Sequence, residues 1–194
     1  DERIIPYLDV PIQHSEDRIL QAMGRGYTRA DLERLIIEMR DAMPDVVLRT
    51  TVMVGFPGET DEEFERLREF ISAGQFDNLG AFMYSREEGT PAYRLKPQVK
   101  KTVKRERHSA IMEMQREISR QRLSRLKGTT QTVVVEGQEE GHMVGRMLLQ
   151  APDVDGIAFI RGECVPGEIK KGEVIRTLDY DVIIQLGGGN GADR

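Results

Sequence analysis

The sequence predicts two folds in series: an α/β unit with a parallel sheet, then a small all-β unit. Residues 1–97 alternate apolar strand-like runs with amphipathic helix-like segments, the pattern of βαβ units. From Gly128 onward, short β-branched runs are split by Gly, Pro and acidic turns, as in a small barrel or sandwich. Charge changes sign along the chain. Residues 1–93 carry 10 basic and 19 acidic side chains, residues 94–127 carry 12 and 3, and residues 128–194 carry 6 and 11. A basic helix therefore joins two acidic lobes, with expected boundaries 1–97, 98–127, 128–184 and a tail at 185–194.

The first strand is read from "IIPYLDVPIQ", interrupted by Pro6 and Pro11 and ending in the polar cluster Gln13-His14-Ser15. A short helix follows from Asp17 to Met23 and stops at "GRG". Thr28 with Asp31 resembles a capping pair, and Leu32, Leu35, Ile36 and Met39 line one face of a helix ending before Pro44. Val46 to Val54 is β-branched and unbroken, which predicts a strand buried on both faces. Thr60 to Glu63 reads as a capping box opening a helix to about Ala73, with Phe64, Leu67, Phe70 and Ile71 inward and Gly74 closing it. Leu79 to Tyr84 is the third strand. From about Gln98 to Leu126 runs a long helix with an intermittent apolar stripe, Val103, Ile111, Met114, Ile118, Leu123 and Leu126, and Gly128 ends it. Four β-rich runs follow, starting at Thr129, His142, Gly156 and Gly172; the tail "GGGNGADR" has no core-forming residue and is expected to be disordered.

Composition narrows the class. No apolar run approaches the roughly 20 residues of a membrane-spanning helix. The chain opens on Asp1-Glu2 with no leader pattern, which reads as a cut start, and the reducing cytoplasm is the default compartment. Cys164 is the one cysteine, so an intramolecular disulfide and a cysteine-ligated metal or iron–sulfur site within this chain alone are excluded.

In a parallel sheet, ligands gather at the carboxyl ends of the strands. Gln13-His14, Gly55 to Glu59 and Tyr84-Ser85 all fall there and are expected to converge on one pocket. In "VGFPGE", glycines at 55 and 58 remove two Cβ atoms where backbone must approach something closely, and Pro57 fixes the φ between them. The same turn could serve the fold alone. It matches neither GxGxxG nor GxxxxGK[ST], so a dinucleotide fingerprint or P-loop is not indicated.

Taken together, "LDVPIQHSEDRILQAMGRGYTR", "RTTVMVGFPGETDEEF" and "AFMYSREEGTPA" resemble the carboxyl half of the radical S-adenosylmethionine barrel of methylthiotransferases, a partial TIM-type barrel, and the β-rich part with "QAPDVDG" resembles their TRAM domain. Asp9 to His14 resembles the RimO type, which modifies a ribosomal protein, more than the transfer-RNA-modifying MiaB type. The resemblance implies a radical enzyme with S-adenosylmethionine and two 4Fe-4S clusters, adding a methylthio group to the β-carbon of an aspartate of ribosomal protein S-twelve. The family's CxxxCxxC motif is absent, so the fragment is expected to hold neither cluster and to be inactive alone, its catalytic residues unknown. A transfer-RNA methylthiotransferase or a non-catalytic ribosome- or RNA-binding module are the alternatives.

The resemblance also nominates residues. Gln13, Gly55, Phe56, Pro57, Gly58, Tyr84 and Ser85 are implied to meet the cofactor, with the Tyr84 ring able to stack on adenine or simply belong to the core. Arg25 and Arg49 are candidates for the methionine carboxylate, because a guanidinium grips carboxylate in a fork; surface ion pairing would look the same. His14 is implied on the substrate side or as a satisfied core histidine. Glu59 would accept from a ribose hydroxyl or favour a helix start. The acidic β-domain (Glu136, Glu139, Glu140, Asp153, Asp155, Glu163) suits a basic ribosomal protein or serves solubility alone, and the basic helix a nucleic-acid or ribosome contact or plain solvent.

Overall fold

The computed structural model describes residues 4–187. They form two compact units that divide inside the long helix, between Ile118 and Ser119.

In the first unit, strands β1 (Tyr7–Asp9), β2 (Val47–Val54) and β3 (Asn78–Met83) make a parallel sheet in the order β1-β2-β3. Regular pairing in β1 is shorter than the apolar run suggests, because Pro6 and Pro11 have no N–H to give. The chain nevertheless keeps to β2. Thr50 Oγ1 donates to the Val10 carbonyl at 2.8 Å, and Gln13 bridges Val52, its N–H reaching the Thr51 carbonyl at 2.9 Å.

β2 is not buried on both faces. Leu48, Thr50, Val52 and Val54 are buried, while Val47, Arg49, Thr51 and Met53 are half-exposed. The buried face meets Leu32 of helix α2 (Arg29–Ala42), Leu67 and Ile71 of α3 (Asp61–Gly74) and Ile111 of α4 (Lys101–Ser124) in one core. A continuous β-branched run thus overstated its cover. On α2, Leu35 is exposed, and the helix rests on the core through Leu32, Ile36 and Met39.

Helix starts follow the sequence closely. Thr28 and Asp31 form a full capping box on α2, and Thr60 and Glu63 form one on α3. The end of α3 differs: Gly74 is its last helical residue, and Gln75 takes the left-handed cap conformation at φ 49°. Gly74 is needed for another reason, since a Cβ there would press into the Phe76 ring at 2.8 Å. The short helix α1 (Asp17–Ala22) ends before Gly24.

The second unit is a closed barrel of β4 (Thr130–Glu139), β5 (His142–Met147), β6 (Ala158–Arg161), β7 (Ile169–Thr177) and β8 (Val182–Leu186), ordered β4-β5-β6-β8-β7. The last apolar run splits into two strands around Asp179-Tyr180-Asp181. Val133, Val135, Met147, Val174, Val182 and Ile184 fill the barrel, and Leu123 and Leu126 pack against it. Gln185 and Leu186, expected in the tail, belong to β8; residues 188–194 lie outside the described residues.

Candidate ligand site at the strand ends

The three strand ends of the α/β unit open on one cavity of about 420 Å³, lined among others by Gln13, Arg25, Met53, Phe56, Tyr84 and Ser85. Each side chain arrives there for a local reason. Gln13 stands at φ 64°, a left-handed conformation uncommon for a residue with a side chain, and its backbone is pinned on both sides to Thr51 and Met53. Met53 projects from the half-exposed face of β2. Phe56 and Tyr84 meet edge to face, with ring centroids 5.3 Å apart. Arg25 comes from the loop after α1, and Ser85 Oγ donates to Glu87 Oε1 at 2.7 Å. The lining mixes apolar side chains (Met53, Phe56, Tyr84) with polar ones (Gln13, Arg25, Ser85, Glu87). That mixture suits a flat heterocycle carrying hydrogen-bonding groups.

The Gly-Phe-Pro-Gly turn is shaped from behind the cavity. Gly55 has φ 72°, and a Cβ there would collide with the stem of Lys104 from α4. Gly58 has φ 81°, and its N–H donates to the Pro97 carbonyl at 2.8 Å. Gly55, Pro57 and Gly58 therefore position Phe56 and do not themselves line the cavity. Tyr84 is 7% exposed and carries the Lys104 ammonium 4.7 Å from its ring centroid, so one face of the ring is already occupied.

Glu59 has neither expected role. Its side chain is fully buried, and Oε2 accepts from the N–H groups of Gly55 at 2.7 Å and Phe56 at 3.1 Å. Arg107 of α4 donates to its Oε1 at 2.7 Å and reaches on to Asp61 at 2.6 Å. Burial pushes the Glu59 carboxyl up, while Arg107 and the two amides draw it back. The helix start is capped by Thr60 instead.

His14 is a wholly buried neighbour of this clamp and not a lining residue. Its Nδ1 accepts from the Glu16 N–H at 3.1 Å, which leaves the proton on Nε2, 3.8 Å from Glu59 Oε2. Burial lowers its pKa to about 4, against a smaller pull upward from Glu63. Glu63 itself feels burial, but Arg18, with Nε donating at 2.7 Å, holds its carboxyl below the usual range.

Arg49 is not in the lining either. It lies further down the same face of β2, with Nε 3.4 Å from Asp9 Oδ2. Sequence reasoning missed Lys104 and Arg107, taken as part of a wet or ribosome-facing basic helix. Their spacing held a signal: Lys104, Arg107, Ile111 and Ile118 share one helical face, so apolar residues further along predicted which cations turn inward.

A family model described as the Radical SAM superfamily matches residues 2–71, and a TRAM domain model matches residues 128–186. The chain is 42% identical over 185 residues to "Ribosomal protein uS12 methylthiotransferase RimO" of Caldanaerobacter subterraneus, covering 94% of the chain and 42% of that protein. It is 45% identical to the protein of the same name from Acetivibrio thermocellus, covering 94% and 41%, and 44% identical to that of Geobacter sulfurreducens, covering 96% and 42%. The chain thus spans about two fifths of the curated relatives it matches. With both domain models in tandem and this likeness along nearly its whole length, the chain is similar to part of the RimO-type radical S-adenosylmethionine methylthiotransferases.

Proposed function

We propose that these residues are the latter part of a partial TIM-type radical barrel followed by its TRAM domain, and that they hold the adenosyl portion of S-adenosylmethionine in a protein that methylthiolates an aspartate of ribosomal protein uS12. The observation that carries this reading is the single cavity at three parallel strand ends, in a chain similar to the RimO relatives. Gln13 and Ser85 bring hydrogen-bonding groups to its lining, Phe56 and Met53 bring apolar surface, and Arg25 supplies a cation for a carboxylate. Bound S-adenosylmethionine would supply the radical chemistry, given an electron from outside these residues. The residues here fit the adenosyl group and do not fit a cluster, because Cys164 is the one thiol in the sequence. Thiolates for both clusters would come from outside these 194 residues.

A protein substrate is favoured over transfer RNA by the charge of the barrel. A groove of about 340 Å³ on it is lined by Glu136, Glu139, Asp153 and Asp155, with Arg146 already paired to Glu136 at 2.7 Å. Such a surface repels phosphate and complements a basic protein. Exposed Lys101 and Arg105 of α4 remain available for a ribosome contact, unlike Arg107, which is buried.

The test uses the native reading frame around this chain, reconstituted without oxygen with iron, sulfide, S-adenosylmethionine and reductant. A methylthio mass on an aspartate of uS12 is expected. The same mass on transfer RNA would replace the substrate reading, and no mass on either, with retained partner binding, would favour a binding module. The 194-residue chain alone is expected not to cleave S-adenosylmethionine; a stable 4Fe-4S absorbance in it would refute that.

A further inference from the structure

The cavity is walled by strand ends, yet the groups that fix two of those ends come from α4. Arg107 is 5% exposed and forks between Glu59 and Asp61, and Glu59 in turn holds the Gly55 and Phe56 amides. One helical turn earlier, Lys104 Nζ donates to the Tyr84 carbonyl at 2.7 Å and lies over the Tyr84 ring. Its stem occupies the space a side chain at position 55 would fill. A buried ion pair contributes little net stability when compared with apolar packing. What it contributes is geometry: the carboxylate has a fixed partner on one side and two backbone donors on the other, so the turn that carries Phe56 has one position. Lys104 does the same for the end of β3.

We propose that Lys104 and Arg107 are positioning residues of the cavity, setting the spacing of Phe56 and Tyr84 and through it the affinity for an adenosyl ligand. Neither touches the ligand space; each acts through a backbone group of a residue that does. The second half of this statement rests on the adenosyl reading, whereas the first half stands without it.

The experiment uses the 194-residue chain, labelled for amide NMR, with S-adenosylhomocysteine as probe. Arg107→Met leaves Glu59 buried without its cation and is at risk of unfolding, so the informative variants are Arg107→Lys, Lys104→Met and Lys104→Arg. In Arg107→Lys the Gly55 and Phe56 amides are expected to exchange with solvent at least about 10-fold faster, while Val52 and Leu48 in β2 keep their rates. In Lys104→Met the Tyr84 and Ser85 amide resonances move, and Lys104→Arg restores them. Both Arg107→Lys and Lys104→Met weaken S-adenosylhomocysteine about 10-fold or more, with the urea midpoint close to that of the parent. Unchanged exchange at Gly55 and Phe56 together with unmoved Tyr84 and Ser85 resonances would overturn the positioning role. Parental affinity in both variants would overturn its effect on binding. If the parent chain does not bind the probe while the amides respond as expected, the adenosyl reading fails and the positioning role stands.

Discussion

Gly55 concentrates the local physics in one residue. Its positive φ and the Lys104 stem behind it exclude a side chain for two separate reasons. Gly55→Ala is expected to destabilise the chain by about 1–3 kcal/mol in urea unfolding and to displace Phe56, since a left-handed alanine is strained before any collision is counted. His14 makes a pH-dependent prediction. It stays neutral in the folded chain down to about 4, while an unfolded histidine protonates near 6.5. The unfolded state therefore binds the proton first. Stability is full above about 6.5, falls with pH, and this contribution levels off below about 4, a loss on the order of 3 kcal/mol. Glu63, held low by Arg18, adds loss in the same direction as it protonates; Glu59, pushed up by burial, works against it. Urea midpoints between pH 7 and pH 4, compared in the parent and His14→Gln, check the claim: the variant is expected to show a shallower slope. Sequence placed Gln13, Phe56, Tyr84 and Ser85 at the strand ends because periodicity and glycine position are local. It could not separate lining from support, since whether His14 or Glu59 faces the cavity depends on Arg107, dozens of residues away.

Among the elements, capping chemistry was the most legible signal. A Thr with an acid three residues on is a complete local instruction, and both boxes formed. Thr60→Ala, removing the hydroxyl that accepts from the Glu63 N–H at 3.2 Å, is expected to lower stability by about 1 kcal/mol, read as a shift in the urea midpoint. Its effect also reaches the site, because Glu63 is held by the same box and by Arg18. Burial of β2 was less legible. Hydrophobicity along a strand reports what a face can bury, not what covers it, and here the helices cover one face of β2 while Arg49, Thr51 and Met53 stay half-exposed. The end of α3 was misread for a related reason: Gly74 looks like a stop signal, but its missing Cβ makes room for Phe76.

For the molecule as a whole, the division of charge was readable before any fold was known, and its interpretation changed with the structure. Part of the basic run is consumed internally by Arg107 and Lys104. The acidity of the barrel remains at the surface, as the groove lined by Glu139 and Asp153 shows. Titration of the chain with uS12 and with transfer RNA is expected to give binding to the protein alone, weakening as salt rises. Glu139→Lys with Asp153→Lys should weaken it further, measured by fluorescence anisotropy, and preference for transfer RNA by the parent would contradict this. No helix among the described residues is long and apolar enough to cross a membrane.

The barrel closes on itself, each of its five strands hydrogen-bonded on both sides, whereas β3 borders its sheet with Phe82 and Met83 turned to solvent. An edge strand beside greasy side chains is a template for the next molecule that drifts by. Cleaving the chain within α4 and dialysing away denaturant should therefore sort the two pieces by solubility: the acidic barrel stays clear in solution, and the sheet piece clouds it.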